Sequence, residues 1–172
     1  MTISSRLAAR KGFKSMGGRT AASRRQLITL LRRAKLAPEI PAKELTHLAE
    51  HVEAFSVTPG TVVFREGDAG SWMAILAQGG VEILKKRGDG QTLVMSVEGP
   101  GRLIGEMSLV DGQERSATCV AKDRCVLIAI TRDHLDNIMG EYPALAAGLM
   151  LKIMRLMSRR LRMTSGRLAE LM

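Results

Sequence analysis

Gly105-Glu106-Met107-Ser108-Leu109-Val110-Asp111-Gly112-Gln113-Glu114-Arg115-Ser116-Ala117-Thr118 sets one turn's worth of helix-forming residues between two glycines and then opens a strand. Gly105 allows backbone to approach a ligand closely. Glu106 to Leu109 can wind into a helical turn whose free N–H groups attract an anion. Gly112 turns the chain back. Arg115 brings a planar fork that suits phosphate oxygens, and Ser116 adds a hydroxyl. Glu106 can accept from a sugar hydroxyl. On residue types alone, a structural ion pair between Glu106 and Arg115 stands as the alternative.

On either side of this stretch, short segments rich in Val, Ile, Leu and Phe alternate with glycine turns at spacings of about 8–12 residues. The segments are 54–57, 61–64, 72–77, 81–86, 92–97, 116–121 and 125–130. Their turns are Pro59-Gly60, Gly67-Asp68, Gly79-Gly80, Gly88-Asp89-Gly90 and Gly99-Pro100-Gly101. This spacing predicts a small antiparallel barrel or sandwich. Cys119 and Cys125 fall in neighbouring strands and read as buried small apolar residues.

The flanks have helical periods. Leu27, Leu30, Leu31 and Ala34 share one face of a helix over 22–36, and Pro38 and Pro41 stop it. A second short helix fits 42–51, with Leu45, Leu48 and Ala49 together. After Ile130, Thr131 is a good N-cap, Gly140 ends the helix, and Pro143 opens a longer one over 144–171. In that long helix Met150, Met154, Met157, Leu161, Thr164, Leu168 and Leu171 make a seam of period 3.5. Leu149, Ile153, Leu156 and Met163 run beside it, while Arg155, Arg159 and Arg162 fall away. The length of the repeat favours a parallel dimer through this helix; docking wholly on its own domain is the alternative. Thr164 breaks the seam, and its hydroxyl could simply bond one turn back.

Composition narrows the function. The chain has 172 residues, is 45% apolar and carries +9 net charge. Residues 1–38 hold ten basic groups and no acid, 39–149 hold ten basic and sixteen acidic, and 150–172 hold six basic against Glu170. The basic character therefore belongs to the ends, and residues 1–21 read as a basic flexible tail. The tail has no apolar signal core, although its Arg- and Ser-rich make-up is one a transit peptide shares. Two cysteines exclude a disulfide-built secreted domain and point to the cytoplasm. No apolar stretch is long enough to span a bilayer. There is no Walker A sequence, dinucleotide fingerprint or nucleophile elbow, so no enzyme class and no catalytic residue is assigned. His47 and His51, at i and i+4, read as solvated side chains rather than metal ligands, because no third ligand is evident. The basic N-terminus could bind nucleic-acid phosphates or anionic lipid, but five aromatics are few for base stacking. A solvated tail is preferred.

The pattern resembles the cyclic nucleotide-binding domain family. That family's phosphate-binding cassette has the form Gly-Glu-aliphatic-small-Leu, a short turn, then Arg-small-Ala-Thr. Here it is Gly105-Glu106-Met107-Ser108-Leu109 and Arg115-Ser116-Ala117-Thr118. The upstream signature, Phe64-x-x-Gly67-Asp68, a strand at Ile75 and then Gly80-Val81, is in order, and the resemblance covers about residues 42–172. Within the family the chain is most like the sensor domains of the bacterial cyclic AMP-dependent activators, with Arg159-Arg160-Leu161-x-x-Thr164-Ser165 similar to the end of their dimer helix.

The resemblance implies an α+β fold: N-terminal helices over 22–51, a jelly-roll-like antiparallel β-barrel (a double-stranded β-helix) over 52–130, then a hinge helix and a long C-terminal dimerisation helix over 131–172. It implies a ligand, cyclic AMP, with cyclic GMP as second candidate, and no metal. Arg115 would pair with the cyclic phosphate, helped by Ser116 and the backbone near Met107 and Ser108. Glu106 would take the ribose 2′-hydroxyl, with Gly105 against the sugar. Thr164 would read adenine from its own chain and Ser165 from its partner's. The implied role is a non-enzymatic, homodimeric sensor that moves its C-terminal helices on binding and signals to another protein. The activators' helix-turn-helix has no counterpart in these residues, so sequence-specific DNA binding is not expected. A scaffold that has lost the ligand and acts through its basic N-terminus is the alternative.

Overall fold

Trp72-Met73-Ala74-Ile75-Leu76-Ala77-Gln78 forms β4, and all but its last residue are buried. Side chains in a strand alternate between faces. Here Trp72, Ala74 and Leu76 join one apolar cluster, while Met73, Ile75 and Ala77 join another. A sheet runs between two cores, and β4 is one of its interior strands.

The computed structural model describes residues 7–17, 20–34 and 40–170. Expectations for residues 1–6, for Lys35 and Pro38, and for Leu171 in the seam lie outside the described residues, and that for Leu168 rests on a side chain outside the description. The strands are β1 (Phe13–Ser15), β2 (Glu53–Val57), β3 (Val62–Phe64), β4 (Trp72–Gln78), β5 (Val81–Lys86), β6 (Thr92–Glu98), β7 (Leu103–Ile104), β8 (Thr118–Ala121) and β9 (Cys125–Thr131). The helices are α1 (Ala21–Arg33), α2 (Glu44–Leu48), α3 (Glu106–Asp111), α4 (Arg132–Glu141) and α5 (Pro143–Glu170).

The strands form two antiparallel sheets, of order β1-β2-β9-β4-β7 and β3-β8-β5-β6. The expected barrel is thus a jelly-roll-like pair of facing sheets, and among the described residues no ladder closes them into a ring. From β2 to β5 the chain changes sheet at every turn, which builds a sandwich rather than a continuous wall. Phe55, Phe64, Leu76, Val81, Cys119 and Leu127 fill the space between the sheets. Each such side chain contributes roughly 1.5–3 kcal/mol through removal from water.

Helices cover the outer face of the five-stranded sheet. Leu30 and Leu31 of α1, Leu48 of α2, Leu135 and Ile138 of α4, and Leu149 and Ile153 of α5 pack with Ile75 and Ile128. Thr20 caps α1 by accepting from the Ser23 N–H, and Thr131 caps α4 by accepting from the His134 N–H. α4 runs one residue past Gly140 and ends at Tyr142. Residues 13–15, expected within a flexible tail, instead pair with β2 as an edge strand, because Phe13 inserts against Phe55. β7 was not foreseen either; two residues carry no readable period.

α5 divides its apolar residues. Leu149, Ile153 and Leu156 are buried on the chain's own domain, whereas Met154, Met157, Leu161 and Met163 are exposed, Leu161 by 69%. Of the line read as secondary, Leu149, Ile153 and Leu156 pack internally and Met163 does not; of the seam, Met150 packs against the core and Met154, Met157 and Leu161 face away.

Candidate functional site

The two separated motifs meet at Arg115. Its backbone N–H donates to the Asp68 carbonyl at 2.8 Å, and its carbonyl accepts from the Gly67 N–H at 2.9 Å. Asp68 Oδ2 accepts from the Arg65 N–H, which closes the turn, and Gly67 sits at φ +80°, where a Cβ would strain. Downstream, Thr118 Oγ1 accepts from the Glu66 N–H at 3.0 Å. The upstream Gly-Asp signature is therefore the cradle that fixes the start of the arginine's strand.

The Arg115 side chain is 2% exposed. Nη1 donates to the Gly105 carbonyl at 2.7 Å and Nη2 to the Trp72 carbonyl at 2.6 Å. Its guanidinium lies 4.4 Å from the centre of the Phe64 ring and 5.0 Å from that of Trp72. Nε is buried with no partner. Burial pushes the guanidinium pKa down to about 10, with Glu106 and Asp68 opposing the fall. Two glycines make room: a Cβ on Gly105 would come within 2.3 Å of Nη1, and one on Gly70 within 2.3 Å of Ser108 Cβ and 3.2 Å of Arg115 Cζ.

Glu106 opens α3, between Gly105 and Gly112, both left-handed at φ +72°. It is 1% exposed. Its Oε1 accepts from Arg160 Nη1 of α5. Arg160 Nη2 also donates to the Leu103 carbonyl at 3.2 Å and lies 3.8 Å from Glu98 Oε1. Burial raises the Glu106 carboxyl above the usual range, and the Arg160 charge pulls the other way. The Glu106–Arg115 ion pair, which residue types alone had left open, is not formed among the described residues. The two charges point to different partners: Arg115 to the Gly105 and Trp72 carbonyls, Glu106 to Arg160.

The other expected residues divide. Ser108 is buried and its Oγ donates to the Glu114 carbonyl, which pins the end of the cassette loop. Met107 and Ser116 are exposed, and the Ser116 hydroxyl donates to Met107 Sδ at 3.7 Å. Lys85 Nζ reaches the Ser116 carbonyl and Glu66 Oε1, both at 2.6 Å, tying β5 to the cassette rim. Glu66 is held below the ordinary carboxyl range by that lysine. Thr164 and Ser165 are exposed on α5, one turn beyond Arg160, and among the described residues neither hydrogen-bonds the cassette. A Thr164 hydroxyl folded back on its own helix is not formed either.

Sequence reading missed Phe64, Trp72, Glu98 and Arg160 as neighbours of the site. Arg160 stands 54 positions from Glu106, and no local period reports such a pairing. The histidines also differ from the solvated picture. His47 stacks on Tyr142 at 4.3 Å between ring centres, and His51 meets both Tyr142 and His134 edge-on. The fold brings His134 in from α4. Among the described residues no cluster of three metal-ligating side chains occurs.

The cassette thus brings together one buried cation, one buried carboxylate and backbone freed of Cβ atoms. The CRP-like cAMP-activated global transcriptional regulator of Mycobacterium tuberculosis is 25% identical over 142 residues, which is 83% of this chain and 62% of that protein. The cyclic AMP receptor protein of Thermus thermophilus is 36% identical over 103 residues, 60% of this chain and 46% of its own length. The chain thus spans less than two thirds of either relative. A cyclic nucleotide-binding domain from Methylobacillus flagellatus shares the fold at a TM-score of 0.79 and 23% identity, over 94% of this chain and 92% of that one. The catabolite activator protein of Thermus thermophilus superposes at 0.69 with 30% identity, over 79% and 62%. The family model for the cyclic nucleotide-binding domain matches residues 54–142, just over half the chain and the whole of the Gly67–Arg115–Glu106 arrangement, and the chain belongs to that family.

Proposed function

We propose that this chain is a regulatory sensor that binds a cyclic nucleotide, with cyclic AMP preferred, and does no chemistry on it. The observation that carries the reading is the Arg115 guanidinium: buried, without a carboxylate partner, and with Nε–H left unpartnered. A buried cation of this kind is costly unless an anion completes it. A cyclic phosphate carries one negative charge and acceptor oxygens for that edge. Glu106 then accepts from the ribose 2′-hydroxyl, with Gly105 alongside, and Ser116 and the Met107–Ser108 backbone close the phosphate side. No metal enters the reading.

Thr164 and Ser165 complete the base end in a homodimer formed along α5. The exposed Met154, Met157 and Leu161 of the seam, with Met163 beside them, support this, since a solvent-facing apolar seam is what a twin helix would bury. Ligand contact at Glu106 competes with Arg160, which links the site to α5, and the response passes through α4 and α5 to another protein. Any such shift is bounded by the ligand's differential affinity for the two arrangements. A cytoplasmic location fits two buried free thiols, and no described helix is long and apolar enough to cross a membrane.

Titration calorimetry with cyclic AMP, cyclic GMP and 5′-AMP tests the reading. Micromolar or tighter binding of cyclic AMP, abolished in Arg115→Ala, is the expected result. No heat from either cyclic nucleotide would overturn it and favour the scaffold reading through the basic N-terminus.

A further inference from the structure

An arginine side chain is long and rotamer-rich, and it presents one edge reproducibly only if its other faces are held. Four contacts hold Arg115. The Gly105 and Trp72 carbonyls take Nη1 and Nη2 at 2.7 and 2.6 Å. The Phe64 and Trp72 rings lie 6.0 Å apart at 75° to one another, an edge-to-face corner, with the guanidinium 4.4 and 5.0 Å from their centres.

An aromatic corner differs from a carboxylate in one consequential way. A carboxylate would occupy the N–H edge and neutralise the charge. A ring attracts the cation through its quadrupole and leaves the N–H groups for another acceptor. Both rings are buried, where that attraction is least screened. The Nε–H is what the arrangement leaves unused.

We propose that Phe64 and Trp72 are positioning residues for Arg115: their edge-to-face corner fixes the guanidinium plane so that its Nε–H edge meets the anionic group of the ligand without being neutralised beforehand. The proposal rests on the sensor reading for the identity of that ligand, but not for the corner itself. Trp72 is the more telling partner, because it offers both a ring and a carbonyl, and only its ring is removed by substitution.

The test combines affinity for cyclic AMP with a double-mutant cycle read by unfolding. Trp72→Leu is expected to weaken cyclic AMP binding at least tenfold, while Trp72→Phe, which restores an aromatic face, stays within about threefold of the unsubstituted chain. In unfolding, the losses from Trp72→Leu and Arg115→Met are expected to be non-additive, since each removes the same contact. A residue that merely filled the core would leave cyclic AMP affinity unchanged in a folded Trp72→Leu chain and show no rescue by Phe. Should Trp72→Leu fail to unfold cooperatively, Phe64→Leu carries the same measurements. Unchanged affinity in a folded Trp72→Leu chain, or an additive cycle, overturns the proposal. If the unsubstituted chain binds no cyclic nucleotide, the sensor reading alone fails and the unfolding cycle still decides whether the rings hold Arg115.

Discussion

The cassette around Glu106 and Arg115 and the last third of α5 carry residues expected to serve one ligand, yet folding treats them oppositely. Glu106, Ser108 and Arg115 are buried, each with a hydrogen bond supplied by the same chain. From Leu161 to Gly166 every residue of α5 is exposed. The cassette is wedged between β4, β7 and the β3 turn, which satisfy its polar groups as they are desolvated. α5 is held to its own domain by Leu149, Ile153 and Leu156, and then by Arg160. Beyond that arginine, residues 161–166 are exposed, and Arg162 donates to Ser158 of its own helix. One chain therefore buries the end proposed to read charge and sugar, while the end proposed to read the base stays exposed.

Substitutions should separate the two regions. Arg115→Ala should cost about 2–5 kcal/mol of cyclic AMP affinity by calorimetry, the range for losing one partner of a desolvated charge pair. A smaller loss would mean that the cassette is not the anchor. Glu106→Gln comes next, at about 1.5–3 kcal/mol for a hydrogen bond to a charged group. It has a pH signature as well. Burial raises the Glu106 carboxyl in the folded chain, so its contribution to stability is complete at acid pH and is lost as pH climbs from the unfolded value near 4.5 through the raised one. The unsubstituted chain should thus lose stability relative to Glu106→Gln as pH rises above the unfolded carboxyl's range in denaturant titrations. An opposite slope would mean that Arg160, not burial, dominates that carboxyl.

The α5 region should respond differently. Leu161→Glu places a charge in the exposed seam, and sedimentation should show dimer converted to monomer, with the protomer's unfolding free energy within about 0.5 kcal/mol of the original where both are dilute enough to be monomeric. A monomeric unsubstituted chain would break the comparison, leaving α5's exposed line without a twin. Ser165→Ala should cost least, about 0.5–1.5 kcal/mol of affinity for one neutral hydrogen bond, and it should do so only in the dimeric chain, where Ser165 reaches the partner's ligand.

Much of this was legible beforehand, and unevenly. Thr131 was readable as a cap and Gly105 and Gly112 as brackets, because caps and left-handed glycines are local requirements. The β5 limits, Val81 and Lys86, were readable from alternation and the glycine turns. β4 and β6 show where that ended. Both have seven residues and both looked like strands, but Trp72–Gln78 is covered on both faces while Leu93, Val94, Met95 and Val97 of β6 are exposed on an edge. Apolar content could not say which would be central, since that depends on what each strand pairs with. The N-terminal Phe13–Ser15 strand was hidden for another reason: three residues amid basic ones have no period, and only the Phe55 ring explains them.

By itself the sequence determined the element types, the glycine-bracketed turn of α3, the Gly67-Asp68 turn and the identity of the cassette. All of these follow from residues within a few positions of one another, where backbone sterics and side-chain period act directly. Tertiary structure decided which line of α5 packs inward, which base meets Glu106, and where the Arg115 guanidinium points. Those outcomes turn on desolvation and pairing between groups far apart in the chain. A buried charge takes its orientation from whichever carbonyls and rings the fold brings to it, and Trp72 lies 43 positions from Arg115.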